Sequence, residues 1–162
     1  DWKKYSGATF ITPNTNEIAQ IAAAVAEAGA DALSLINTVK GMYLDITTRQ
    51  PLLGNRTGGL SGPAIKPIAL SMVYEVAGAV TIPIIGCGGI TTANDALEFI
   101  MAGASAIQVG TATFNNPHAP LDILEGIEQF MKTEAIEDIT ELIGAARSQA
   151  NEKIGRAEIR DG

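Results

Sequence analysis

Two apolar runs that end in glycine are the part of this sequence best suited to chemistry. Ile82-Pro83-Ile84-Ile85 leads into Gly86-Cys87-Gly88-Gly89, and Ser105-Ala106-Ile107-Gln108-Val109 leads into Gly110-Thr111. Glycine directly after a strand leaves backbone N–H groups uncovered and lets an anionic group approach closely, which is the chemistry of phosphate binding. A tight βα turn uses glycine too, but two neighbouring strands ending this way favour the phosphate site. In a β/α barrel the loops after the last strands commonly hold phosphate. A third strand, Asp31-Ala32-Leu33-Ser34-Leu35-Ile36, ends in Asn37-Thr38, two polar side chains at a carboxyl end where barrel sites are built. Asn37 serves equally well as the cap of a turn.

Other chemistry-bearing residues carry less. His118, the only histidine, sits among Pro117, Ala119 and Pro120 and reads as a solvated turn residue. Asp122, Glu125 and Glu128 read as a solvated helix face, and no cluster has metal-ligand spacing. A single cysteine, Cys87, excludes an internal disulfide framework and reads as a small apolar filler. The net charge of −7 argues against nucleic acid or an anionic membrane surface as the main partner, so an anionic ligand needs local backbone donors. No apolar run approaches about 18 residues and no signal-peptide pattern is present, so a cytoplasmic location is expected. The chain begins at Asp1, as expected of a processed or cut polypeptide.

The elements that position these residues alternate. Ala8-Thr9-Phe10-Ile11 reads as a first strand, and Ile18, Ile21, Ala22, Val25 and Ala28 give a helix capped by Thr15 or Asn16 and stopped by Gly29. Residues 39–63 have no helical period. Such a long connection is functional or disordered in a compact domain, with Leu44-Asp45-Ile46-Thr47 and Pro51-Leu52-Leu53-Gly54 able to pair as a hairpin. A helix follows through Ile65, Ile68, Ala69, Met72, Val73 and Val76. Ala96, Phe99 and Ile100 mark another, between the two glycine-ended runs, which Gly103 stops. After a turn at residues 112–117, Leu121, Leu124, Ile127, Phe130 and Met131 form a helical stripe, and Ile139, Leu142, Ile143 and Ala146 suggest a last helix. Short, unalternating strand runs separated by helices imply a parallel sheet with right-handed crossovers. Residues 1–147 read as one domain and residues 148–162 as a polar, frayed tail. The 162 residues are too few for a complete eightfold β/α barrel, which takes about 250.

Four stretches carry a resemblance. Leu33-Ser34-Leu35-Ile36-Asn37-Thr38, the run Gly58-Gly59-Leu60-Ser61-Gly62-Pro63-Ala64-Ile65-Lys66-Pro67-Ile68-Ala69-Leu70, the run Ile82-Pro83-Ile84-Ile85-Gly86-Cys87-Gly88-Gly89-Ile90, and Ala102-Gly103-Ala104-Ser105-Ala106-Ile107-Gln108-Val109-Gly110-Thr111 resemble the carboxyl-terminal half of a dihydroorotate dehydrogenase, nearest the NAD-linked class 1B catalytic subunit. The similarity runs in order over about residues 11–147. It implies an α/β half-barrel whose four strands correspond to strands five to eight of a TIM barrel. It also implies FMN as cofactor, and oxidation of dihydroorotate to orotate in pyrimidine synthesis. Carried over by position, Ile36, Gly62, Gly88, Gly89, Gly110 and Thr111 resemble FMN contacts, and Asn37 and Thr38 resemble substrate contacts. Intact members of this class pair with a subunit carrying FAD and an iron–sulfur cluster.

The sequence departs from the family pattern in two places. The family's catalytic cysteine base lies on a loop of the first half of the barrel, so Cys87 does not match it and no catalytic residue is assigned. Phe10 stands where the family has a lysine that contacts the flavin and helps stabilise its reduced, anionic form. Three readings stay open: half of an FMN oxidoreductase, a stand-alone half-barrel that binds phosphate or flavin without catalysis, or another phosphate-binding β/α enzyme. Uncovered strand edges lead to an expected homo-oligomer.

Overall fold

The computed structural model describes residues 7–147. Its central sheet holds β1 (Ala8–Ile11), β2 (Ala32–Leu35), β7 (Ile84–Cys87) and β8 (Ala106–Gln108) in the order β1-β2-β7-β8, with every pair parallel. Between β2 and β7 lie four short strands, β3 (Val39–Gly41), β4 (Leu44–Asp45), β5 (Gln50–Pro51) and β6 (Gly58–Leu60). The helices are α1 (Ile18–Glu27), α2 (Lys66–Val76), α3 (Ala93–Ala102), the single turn α4 (Ala112–Asn115) and α5 (Ala119–Glu134).

Parallel register puts Ile11, Leu35, Gly86 and Ile107 in one row and Phe10, Ser34, Ile85 and Ala106 in the next. Successive residues of a strand face opposite sides, so the two rows belong to opposite faces. The first faces the helices: Ile11 and Leu35 are buried, and a Cβ on Gly86 would lie 2.8 Å from Phe99 Cδ1 of α3. Around that face α1 packs on β1 and β2, α2 on β2 and β7, and α3 on β8. Phe99, Ile18, Leu33, Leu35, Val73 and Val76 are the large side chains fully enclosed there, each removing apolar surface from water. The second row is open. Phe10 is 55% exposed and Ala106 is exposed, while Ser34 is buried with its Oγ donating to Gln108 Oε1 at 3.2 Å.

Several expectations shift. β7 begins at Ile84 and takes in Gly86 and Cys87, because Pro83 has no N–H for a ladder and contributes only its carbonyl, which accepts from Leu33 N–H at 3.0 Å. β8 is the outermost strand of the described sheet, and its Ala106 and Gln108 are exposed. α1 is preceded by Glu17 with no side-chain cap, and Thr15 Oγ1 instead accepts from Glu17 N–H at 3.1 Å. In α5 the buried positions are Ala119 and Ile123, while Leu121 and Leu124 are exposed, so the apolar stripe is rotated from the expected one. The last expected helix is interrupted: Ile139–Leu142 form a 3-10 turn, Gly144 leaves helical geometry at φ 73° and donates its N–H to Ile100 carbonyl oxygen at 3.0 Å, and helical geometry resumes at residues 145–147, where the described residues end. The expected tail at 148–162 lies outside the described residues.

The long connection is two nested antiparallel ribbons. β4 pairs with β5, as the hairpin expectation had in part, and β3 pairs with β6 through Val39↔Leu60, Lys40↔Gly59 and Gly41↔Gly58. Two glycines disfavour a strand reading. Gly59 is needed there because a Cβ would overlap Thr38 Oγ1. Asn14 Oδ1 accepts from Lys40 N–H at 3.0 Å and so pins the start of the outer ribbon to the β1–α1 loop.

Candidate functional site

The carboxyl ends of the four parallel strands open into a cleft, and all eight residues singled out from the sequence line it. Ile36, Asn37 and Thr38 follow β2, Gly62 precedes α2, Gly88 and Gly89 follow β7, and Gly110 and Thr111 follow β8. Phe10, at the end of β1, lines the same cleft.

Local structure explains why these loops come together. Gly62 at φ 90° and Gly89 at φ 78° adopt backbone shapes that side chains resist, and a Cβ on Gly89 would lie 2.7 Å from Gly62 carbonyl oxygen and 2.9 Å from Lys66 N. The two loops therefore touch backbone to backbone. Thr111 Oγ1 donates to Ser61 Oγ at 2.9 Å, drawing the third loop against the first. Gly110 is different: a Cβ there would meet nothing within 4 Å. Asn37 donates its N–H to Ile11 carbonyl oxygen at 3.0 Å and caps the next residue, its Oδ1 accepting from Thr38 N–H at 2.7 Å.

The N–H groups of Gly88, Gly89, Gly110 and Thr111 donate to no described residue. Among the described residues, no side chain lining the cleft is an acid, a histidine, a lysine or an arginine. Its polar surface is thus uncharged: backbone amides, the carboxamides of Asn37 and Gln108, and the hydroxyls of Thr38, Ser61, Thr91 and Thr111. Cys87 lines it as well, and burial pushes its thiol above the ordinary value, which keeps it protonated near neutrality. The enclosed space is about 160 Å³, whereas sites that bury a whole small molecule run about 300–1,000 Å³. These walls suit one end of a ligand.

Behind the cleft lies a charged group that the sequence reading missed. Asp95 Oδ2 accepts from Thr91 N–H, Thr91 Oγ1 and Thr92 N–H, each at 2.9 Å, and Asp95 Oδ1 accepts from Lys66 Nζ at 2.7 Å. Lys66 Nζ also lies 2.9 Å from Glu98 Oε2. Burial raises the Asp95 carboxyl, but the Lys66 ammonium and the Thr91 and Thr92 donors outweigh it and hold the group well below the usual carboxylate range. The hydrogen bond to Asp95, and then that to Glu98, raises Lys66. Thr92-Ala93-Asn94-Asp95 is a capping-box spacing, the signal that could have found Asp95, while nothing local marks its partner Lys66. Ser61, Thr91 and Gln108 also line the cleft without having been singled out.

Among the described residues no group of three His, Cys, Asp or Glu is placed to hold a metal, and no helix is long and apolar enough to cross a membrane. His118 and the carboxylates Asp122, Glu125 and Glu128 are exposed and lie outside the cleft.

The family description "Dihydroorotate dehydrogenase" matches residues 8–131. Similar curated proteins include the dihydroorotate dehydrogenase B (NAD(+)) catalytic subunits of Lachnoclostridium phytofermentans, 56% identical over 137 residues, and Alkaliphilus oremlandii, 58% identical over 134. A third, from Thermodesulfovibrio yellowstonii, is 58% identical over 135 residues. These matches cover 83–85% of this chain and 44–46% of the relatives, so the chain spans just under half their length.

Proposed function

Because the chain belongs to the dihydroorotate dehydrogenase family, we propose that it forms the FMN-phosphate-binding and substrate-binding half of such an enzyme, its four-stranded sheet corresponding to strands five to eight of a TIM barrel. One observation carries the reading: residues from four separated segments, assigned to cofactor and substrate by resemblance, line a single cleft with unpartnered backbone donors. The open second face of the sheet and the outer edges of β1 and β8, unpaired among the described residues, suit a half-barrel that a further half would close.

The residues fit the phosphate end of FMN. Gly88, Gly89, Gly110 and Thr111 would supply N–H donors, and Gly110 leaves the space that a side chain would fill. Ile36 and Gly62 would border the rest of the cofactor, and Asn37 and Thr38 would orient dihydroorotate by hydrogen bonds. When bound, FMN supplies the electron acceptor for oxidation of dihydroorotate to orotate. Among the described residues the lining offers no general base, since their one titratable side chain there is the protonated Cys87 thiol. Phe10 offers no cation to a reduced flavin. These 162 residues alone therefore bind the cofactor end without turning over substrate, and the small enclosed volume favours the same restriction.

Carried over from the family, the partner of the intact enzyme would be an electron-transfer subunit with FAD and an iron–sulfur cluster, and the cytoplasmic location proposed here rests on the sequence alone. Titrating the purified chain with FMN, followed at the flavin band near 450 nm and by flavin fluorescence, tests the proposal. Saturable binding, displaced by inorganic phosphate, is expected. No saturation by FMN or phosphate at millimolar concentration would overturn it.

A further inference from the structure

The Asp95–Lys66 pair joins the same two backbone segments that meet at the cleft. Lys66 opens α2, four positions after Gly62, and Thr91 lies two positions after Gly89. In front, Gly89 and Gly62 approach so closely that a Cβ cannot enter. Behind, the carboxylate of the buried Asp95 binds Thr91 and Thr92 with one oxygen and Lys66 with the other.

A helix cap alone does not account for this arrangement. The capping box of α3 needs the Thr92 hydroxyl, the Asp95 N–H and the Thr92 N–H. The bonds to Thr91 and to Lys66 lie outside it, and the second crosses from one helix to another. The Lys66 ammonium, held between Asp95 and Glu98, contributes no side chain to the cleft lining. Its positive charge is spent on alignment and not offered to the ligand.

We propose that Asp95 is a positioning residue for the anion site: through Lys66 and Thr91 it sets the spacing between the Gly62 and Gly88–Gly89 backbones, and so the aim of their N–H donors. The inference rests on the cleft being a phosphate end. Loss of the tie leaves the donors present but misaligned, at a cost near that of one hydrogen bond.

The test measures inorganic phosphate and FMN affinity by calorimetry, with thermal melts alongside, for the wild-type chain, Asp95→Asn, Lys66→Met and the double variant. Lys66→Met leaves the α3 cap in place and decides the matter alone if Asp95→Asn does not fold. Each single variant should bind about tenfold more weakly, and the double variant also about tenfold, because both changes cut one tie. Single variants within twofold of wild type, whatever their melting temperatures, would overturn the inference alone. So would additive losses of about a hundredfold in the double variant. A wild-type chain that binds neither ligand would instead remove the phosphate reading and this inference with it.

Discussion

Thr111 Oγ1 and Ser61 Oγ meet at 2.9 Å across 50 positions of chain, and their bond ties the loop after β8 to the loop that opens α2. Gly62 lies under the contact, since a Cβ built on it would sit 3.6 Å from Thr111 Cγ2. Thr111→Val keeps the shape and removes the bond. It should weaken FMN binding by about 1 kcal/mol, a typical net hydrogen-bond contribution, and change stability by less than that because the pair faces solvent. Calorimetric titration beside urea unfolding separates the two effects.

Stability should depend on pH through the pair behind the cleft. Asp95 has its folded pKa depressed, so its contribution is fully present above the unfolded value near 3.9 and is lost as pH falls below that towards the folded value. Lys66 has its folded pKa raised, so its contribution is present below about 10.4 and is lost as pH rises through the folded value. Urea midpoints measured from pH 2 to pH 11 should fall at both ends. In Asp95→Asn the slope below pH 4 should be shallower than in wild type; an unchanged slope would assign acid sensitivity to other carboxylates.

Limited trypsin digestion should cut first at Arg49 or Arg56, ahead of Lys66 and Lys132. Both arginines are exposed and have positive φ, 58° and 66°, and the ribbons around them leave Tyr43, Ile46 and Leu52 open to solvent. A two-residue pairing such as β4–β5 is marginal by itself. Mass spectrometry of the first fragments checks the order, and early cleavage at Lys132 in α5 would contradict it.

The 162-residue chain should self-associate. Between β8 and α5 runs an apolar groove lined by Ile107, Val109, Pro120, Ile123, Leu124 and Ile127, and among the described residues β8 has no strand on that side. At the opposite edge β1 is equally unpaired, with Phe10 exposed. Parallel edges of this kind allow β8 of one copy to accept β1 of another. Sedimentation should show a dimer or larger species; a clean monomer from micromolar to millimolar concentration would count against the pairing.

The sequence was most legible where glycine punctuates. Gly29 and Gly103 end their helices with positive φ, and the runs before Gly88 and Gly110 are neighbouring strands. Asn37, Thr38, Gly88, Gly89, Gly110 and Thr111 were readable because strand ends in a parallel sheet converge by topology, whereas Ile36 and Gly62 were singled out only through the family resemblance. What escaped had long-range causes. Asp95 reads locally as an acidic first-turn residue, and its meaning comes from Lys66, 29 positions away. The β3–β6 ribbon escaped because Gly58-Gly59 opposes strand propensity, and the need for Gly59 is visible only with Thr38 beside it. The stripe on α5 was misplaced because Leu124 lies along the open groove beside β8 and Leu121 is exposed, so apolar periodicity there does not mean burial.

Gly110→Val asks most directly whether the cleft holds the phosphate of FMN. The added side chain enters open space, so the fold should survive, as circular dichroism and the melting temperature will show, while the space of a phosphate oxygen is taken. Cys87→Ala serves as the comparison, because Cys87 lines the same cleft but its protonated thiol offers an anion little. In parallel FMN titrations, Cys87→Ala should bind within about twofold of wild type and Gly110→Val should lose at least about a hundredfold, some 2.7 kcal/mol. Binding retained by Gly110→Val and abolished by Cys87→Ala would contradict the assignment of this end of the molecule.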